Sequence, residues 1–390
     1  MVALTSTIEF QMSLLLFVAL AGYLLASRIN QSAVIGEILV GLLIGPSLLG
    51  LITYTDFVSS IAHLGAVILL FVIGLEFKPK DVFNIRYGII ALAGVVVPWI
   101  GGYCLATWFG YEFGSAVFVG TALTATSIAI TANVLKEMGK LQTEAAKAII
   151  GAAVIDDVLS LLALSVSQQI ISGTLSLTSV SLVVMSALGF VLIGAYVGTK
   201  FLSKLVAKVD DTNIAKRFPE FIFIFAMMFA FLYAMVAELI HLSAIVGSFI
   251  AGISLSSVVL RHSKDYKEGA EYLHIIFASI FFISLGILAD FKALTANVLW
   301  FLIALTLVAV LTKVIGCYIP AKLQGMSHLD ASVVGFGMAP RGEVAMIVAL
   351  LGLNAGLIKQ DIYVSLVLMS LLTTIITPIV LRNWLYKQKI

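Results

Sequence analysis

Apolar residues in this chain are not spaced at helical or strand intervals; they run on. Unbroken apolar stretches of about 20 residues recur between short polar connections, the length an α-helix needs to cross a bilayer. They predict thirteen spans, with cores at 8–27, 32–51, 58–77, 87–109, 114–135, 148–172, 178–199, 218–240, 242–260, 272–289, 296–321, 330–354 and 362–381. The connections leave no room for a soluble domain, so the expected class is an all-α polytopic membrane protein. Composition agrees: 61% of the 390 residues are hydrophobic and 11% charged, against about 25% charged in a soluble domain. A net charge of +2 gives no reason to expect a nucleic-acid partner. Cys104 and Cys317 lie in apolar spans and read as small buried hydrophobes, not as a disulfide or metal pair.

Charge placement orients the spans. No Lys or Arg precedes the first span and Arg28 follows it, the reverse of a signal peptide, so the first helix is retained with the N-terminus outside. Nineteen of the 23 basic residues then fall in connections on one side. Only Lys292 and Lys359 fall on the other, and Lys313 and Arg341 sit inside spans. By the positive-inside rule the rich side, including the C-terminus, is cytoplasmic, in a cell membrane.

The chain also repeats. SAVIGEILVG at 32–41 matches SAIVGSFIAG at 243–252, and IGGY at 100–103 matches IGCY at 315–318. At that same offset TATS at 124–127 falls opposite APRG at 339–342. Spans 1–6 therefore correspond to spans 8–13, with span 7 between. An odd number of helices separates each matched pair, so the repeat is inverted, a usual build of secondary transporters. TATS and APRG each interrupt a span. Pro340 breaks a helix, and backbone freed at membrane depth must be buried in protein or line a wet cavity. Half-helix ends carry partial charges. Thr126 and Ser127 can supply oxygen ligands there, and Arg341 and Glu343 can compensate the carbonyl and N–H ends.

Asp156 and Asp157 stand side by side in GAAVIDDVLSL. Two ionised carboxylates at a helix centre cost about 5–7 kcal/mol, close to what the twelve Ile, Leu and Val residues of 148–172 return, about 4–7 kcal/mol. They need water, a cation, a proton or a positive partner. Lys313 in LTKVIG is such a partner; we pair it with Asp156, though the exchanged assignment to Asp157 fits the sequence equally. Adjacent residues diverge by about 100°, so one carboxylate can face a cavity while the other faces a second helix. A hard monovalent cation takes oxygen ligands, and the same carboxylate takes a proton. Burial and a nearby ammonium push a carboxylate's affinity for protons in opposite directions. Proton and cation can then compete for one place, and two coupled sites permit more than one proton per cation. Glu37 and Glu76 are candidates for a cytoplasmic funnel that attracts cations. An aspartyl protease is excluded, because it needs its two carboxylates on separate helices. A channel would give fast passive conductance in place of saturable exchange, and an organic-anion symporter would not require the Asp-Asp-Lys set.

With these motifs, the thirteen spans, GAAVIDDVL, the lone lysine of LTKVIG and the MAPRGEV break, the chain resembles the cation/proton antiporter-2 family over nearly its whole length. The similar branch is that of NapA-like Na⁺/H⁺ antiporters, related to NhaA. The resemblance implies an NhaA-like fold with two broken, crossing helices, formed as a homodimer. It implies that Asp157 binds the ion, Na⁺ or Li⁺, while Asp156 pairs with Lys313, and that Thr126, Ser127, Arg341 and Glu343 lie at the crossing. It assigns 1–77 and 218–289 to a dimer domain, 87–172 and 296–381 to a moving core, and 178–199 to a linker helix. It implies elevator-like exchange of cytoplasmic Na⁺ for external H⁺, K⁺ being the alternative ion, with no cofactor beyond the transported ions. Two aspartates favour the electrogenic branch, and an end at Ile390 leaves no regulatory nucleotide-binding domain of the kind found in potassium-efflux relatives.

Overall fold

A computed structural model describes residues 7–82, 84–172, 177–261, 266–288 and 296–387. The described residues contain helices and no strands. The helices are α1 (Ile8–Arg28), α2 (Ala33–Ile44), α3 (Asp56–Leu75), α4 (Ile85–Trp108), α5 (Phe113–Ala122), α6 (Ile128–Glu137), α7 (Glu144–Ser172) and α8 (Leu177–Val197). After a π-helical turn (Gly198–Leu202) and two short helices (Ser203–Asp210 and Asn213–Arg217) come α9 (Phe221–Leu239), α10 (Ala244–Leu255), α11 (Tyr266–Leu288), α12 (Ala296–Leu323), α13 (His328–Gly337), α14 (Glu343–Asn354) and α15 (Gln360–Val380). Nine helices among the described residues are long and apolar enough to cross a membrane. The predicted second and ninth spans hold single shorter helices, and the fifth and twelfth each hold an interrupted pair.

The second and ninth spans end earlier than the apolar run predicts. The expected core 32–51 stops as helix at Ile44, because Pro46 forces the residue before it out of the helical region. Gly45 accordingly adopts an extended φ of −69° and ψ of −176°. In the ninth, helix ends at Leu255, where Ser256 turns its hydroxyl back onto the Ile253 carbonyl at 2.9 Å and competes with the next turn. Both helices start alike. Ser32 accepts from the Val34 N–H and Ser243 from the Ile245 N–H, each at 3.3 Å.

By packing, the chain forms two compact units: residues 1–59, 84–180 and 282–390 in one, 60–83 and 181–281 in the other. The second unit has an aliphatic and aromatic core that includes Phe71, Ile222, Ala226, Ala251, Leu255 and Tyr266. The Tyr266 hydroxyl is buried but donates to the Leu255 carbonyl at 2.6 Å, which satisfies it. The first unit carries both interrupted helices. Its α4 and α12 lie unusually close, since Gly101 faces Thr312 and Gly316 faces the Ala93 carbonyl. Small residues permit such approach where lipid supplies no hydrophobic drive. At the far end of α5 from its break, the Ser115 hydroxyl donates to the Leu357 carbonyl at 2.7 Å, and Tyr111 donates to Asp361 at 3.3 Å. Burial and the Asp361 carboxylate push the Tyr111 phenol up to about 12.

Candidate functional site

The close packing of α4 on α12 determines where Lys313 can reach. Its ammonium is fully buried and uses all three protons: to Asp156 Oδ1 at 2.8 Å, to the Thr124 carbonyl at 2.8 Å and to the Gly94 carbonyl at 2.6 Å. Gly94 is part of this arrangement, since a Cβ there would lie 2.7 Å from Cys317 Sγ and 3.6 Å from Lys313 Nζ. Asp156 is 1% exposed, and its second oxygen, Oδ2, has no hydrogen-bond partner. A buried charge is tolerated when paired and hydrogen-bonded, and Lys313 meets that condition on every side.

The two interruptions meet at the same place. Helix α5 stops at Ala122 and α6 resumes at Ile128; α13 stops at Gly337 and α14 resumes at Glu343. The Ser127 N–H donates to the Pro340 carbonyl at 2.9 Å, so each break supplies a partner for the other. A Cβ on Gly342 would lie 2.7 Å from Ser127 Oγ, so the crossing requires glycine there. Arg341 is fully buried and spends its guanidinium on carbonyls: Thr124 at 3.3 Å, Ala309 at 3.4 Å, and Ala125. Its own backbone is fixed by two hydroxyls. Thr373 accepts from its N–H at 3.1 Å and Thr374 donates to its carbonyl at 3.0 Å. Across the crossing, Thr131 donates to the Gly337 carbonyl at 2.6 Å, Thr377 to Phe336 at 3.2 Å and Thr126 to Met338 at 3.4 Å.

Of the residues singled out from the sequence, Asp156, Lys313, Thr126, Ser127 and Arg341 are brought together, and the Thr126 hydroxyl is close enough to hydrogen-bond the Asp156 carboxylate. Asp157 is half-buried on α7, next to this cluster. Glu343 opens α14, with its side chain outside the described residues. The two funnel candidates are elsewhere. Glu37 is buried in α2, where the close approach of Gly22 leaves room for it, and Glu76 is exposed just past α3. Several contributors were invisible in the sequence. The carbonyls of Gly94, Thr124 and Ala309 carry no side-chain signal. The threonines had one: Thr131 four residues after Ser127, and Thr373-Thr374 in LLTTIITP, are hydroxyl clusters inside apolar helices.

Comparison with known proteins concerns the chain as a whole. The family model described as "Sodium/hydrogen exchanger, transmembrane" matches residues 14–387. The Na⁺/H⁺-K⁺ antiporter GerN of Bacillus cereus is 33% identical over 375 residues, which cover 96% of this chain and 95% of GerN. A Na⁺/H⁺ antiporter of Enterococcus hirae is also 33% identical, over 96% of this chain and 97% of its own. Among solved structures, the electron-microscopy structure of the sodium proton antiporter MjNhaP1 from Methanocaldococcus jannaschii superposes with a TM-score of 0.73. It covers 97% of this chain and 96% of its own at 16% identity, a likeness of fold. With a match that spans almost the whole chain and relatives aligned end to end, this polytopic membrane protein belongs to the sodium/hydrogen exchanger family, whose members are cation/proton antiporters and not enzymes.

Proposed function

We propose that the protein expels Na⁺, or Li⁺, from the cytoplasm in exchange for external H⁺, with Asp157 and Asp156 as the ion- and proton-binding carboxylates. The observation that carries this reading is the buried Asp156–Lys313 pair, 2.8 Å apart, set where two interrupted helices cross. The charges explain why ion and proton exclude each other. With Lys313, Arg341 and Asp156 charged and Asp157 protonated, the cluster carries one net positive charge. A cation that enters at Asp157 displaces that proton and leaves the net charge unchanged, so the two occupy the low-dielectric site in turn. A second proton, released from Lys313 as its pair separates, makes the exchange electrogenic. Thr126 and Ser127 supply neutral oxygens to the cation. Arg341 and Glu343 compensate the half-helix ends, and Glu37 and Glu76 draw cations to the cytoplasmic mouth.

The same reading extends to architecture. Thirteen spans form an inverted repeat, supported by the matched N-caps Ser32 and Ser243 and by the two interruptions at corresponding places. The chain sits in the cell membrane with its N-terminus outside and C-terminus cytoplasmic, as a homodimer. The portions 1–77 and 218–289 form the dimer domain. The portions 87–172 and 296–381 move as an elevator, with 178–199 as linker. K⁺ in place of Na⁺ is the second reading, favoured by the similarity to the Na⁺/H⁺-K⁺ antiporter GerN.

The test is cation-induced collapse of a proton gradient in proteoliposomes, for wild type and Asp157→Asn, with Na⁺, Li⁺ and K⁺ in turn. A saturable Na⁺ response lost in the variant is expected. A response to K⁺ alone changes the substrate, unsaturable conductance makes the protein a channel, and full activity in Asp157→Asn removes the site.

A further inference from the structure

Many buried hydroxyls on the helices of this protein are satisfied by their own helix, and others, such as Ser115, Thr131 and Thr377, by a carbonyl of another segment. Ser248, Ser254, Ser279, Ser370 and Thr306 each donate to a carbonyl three or four residues back, at 2.7–2.9 Å. Ser160 on α7 does not. It is 4% exposed, and its Oγ has no hydrogen-bond partner. An unmade hydrogen bond is costly inside a protein, so a buried serine with no partner in its own helix or in any other segment signals a partner that is not a protein group.

Its position says which partner. Ser160 is four residues after Asp156 and three after Asp157, so it sits one helical turn beyond the pair, about 40° around the axis from the first and about 60° from the second. Side chains at these spacings are neighbours on a helix surface. Asp156 Oδ2, on that same side of α7, is the other buried oxygen there without a hydrogen bond. Further along the same face, Ser167 is already satisfied, at 2.6 Å from the Thr121 hydroxyl, which also accepts from Trp99 at 3.2 Å. The unmet demand is therefore next to the carboxylates: Ser160 Oγ has no partner, and Asp156 Oδ2 has no hydrogen bond of good geometry although Lys313 and Thr126 both approach its carboxylate.

We infer that Ser160 is an oxygen ligand for the exchanged monovalent cation, and that with Asp156 Oδ2 it forms the wall of the ion site one turn beyond the aspartate pair. The inference rests on the reading that the pair is the exchange site. It adds a neutral ligand whose reach sets which cation radius is held best, so Ser160 is a selectivity residue as well as a binding one.

The experiment uses full-length protein in proteoliposomes, with Ser160→Ala, Ser160→Thr and, alongside, Asp157→Asn. Ser160→Ala is expected to raise the KM for Na⁺ about tenfold, to change the Na⁺:Li⁺ KM ratio, and to leave the maximal rate within about twofold. Ser160→Thr, which keeps the hydroxyl, restores the KM. The thermal shift that Na⁺ induces in purified protein shrinks in Ser160→Ala, a binding readout independent of turnover. A hydroxyl with no ion to hold gives the opposite pattern: Ser160→Ala melts higher, with its Na⁺ response and KM values unchanged, and that result overturns the inference. If Asp157→Asn is dead while Ser160→Ala is normal, only this inference fails; if Asp157→Asn is fully active, the exchange reading fails with it.

Discussion

Past Ala122 the chain leaves the Thr124 and Ala125 carbonyls beyond the reach of any helical N–H, and past Gly337 it leaves those of Met338 and Pro340 in the same position. Both sets are buried among helices, yet they are met by different chemistry. The end of α5 receives two cations, Lys313 and Arg341, which converge on Thr124 O. The end of α13 receives the Thr126 and Thr131 hydroxyls and the Ser127 N–H. A helix C-terminus carries about half a negative charge, and either a cation or a set of neutral donors can offset it. The neutral solution is sufficient for packing, as the α13 end demonstrates. The cationic one places two fixed positive charges beside Asp156, and so makes the cluster's charge depend on what else is bound. We take the α5 end to be the working side of the crossing and the α13 end to be its frame.

That contrast is breakable, and the largest effect should come from the cation shared by carbonyl and carboxylate. Lys313→Ala leaves Asp156 buried and unpaired, so we expect a loss of about 3–5 kcal/mol in unfolding of the solubilised protein. The double variant Asp156→Leu/Lys313→Met should recover most of that stability, because an apolar pair replaces a buried ion pair at little cost. A double variant no more stable than the single would show that the carbonyl contacts, not the ion pair, dominate. Arg341→Met comes next, at about 3 kcal/mol, since its bonds are charge-assisted and the Ala125 and Ala309 carbonyls are left wanting. Melting curves decide it, and a loss no larger than that of a threonine variant would erase the distinction between the two ends.

Smaller effects test the frame. Gly342→Ala drives a methyl against Ser127 and should cost about 1–3 kcal/mol as overpacking. Pairing it with Ser127→Gly removes the obstructing side chain and should restore thermal stability; no restoration would place the constraint in the backbone. Thr131→Val keeps the shape and deletes one neutral hydrogen bond, so about 1 kcal/mol is expected. Na⁺-driven exchange in proteoliposomes should persist in this variant, and its loss would move the working side to the α13 end.

Much of this was decided by the order of residues alone. Apolar runs of about 20 residues must become helices in lipid, because every backbone group has to be satisfied within the segment. Pro340 cannot continue one, and TATS competes with its own helix through its hydroxyls. These are short-range effects, and they place α5, α6, α13 and α14 correctly from sequence. The apolar run did overstate α2, where Pro46 outweighs hydropathy. Which aspartate meets Lys313 was open in sequence, since both are one residue apart on the same helix. The rotation of α7 against α4 and α12 settled it in favour of Asp156. Likewise Arg341 reaches Thr124 across 217 positions of chain, and Ser160 is distinguished from other buried serines by a hydroxyl left without a hydrogen-bond partner. Periodicity and punctuation act over a few residues and so can be read along the chain. Pairing, capping and an unmet hydroxyl depend on which surfaces face each other, and only packing in three dimensions determines that.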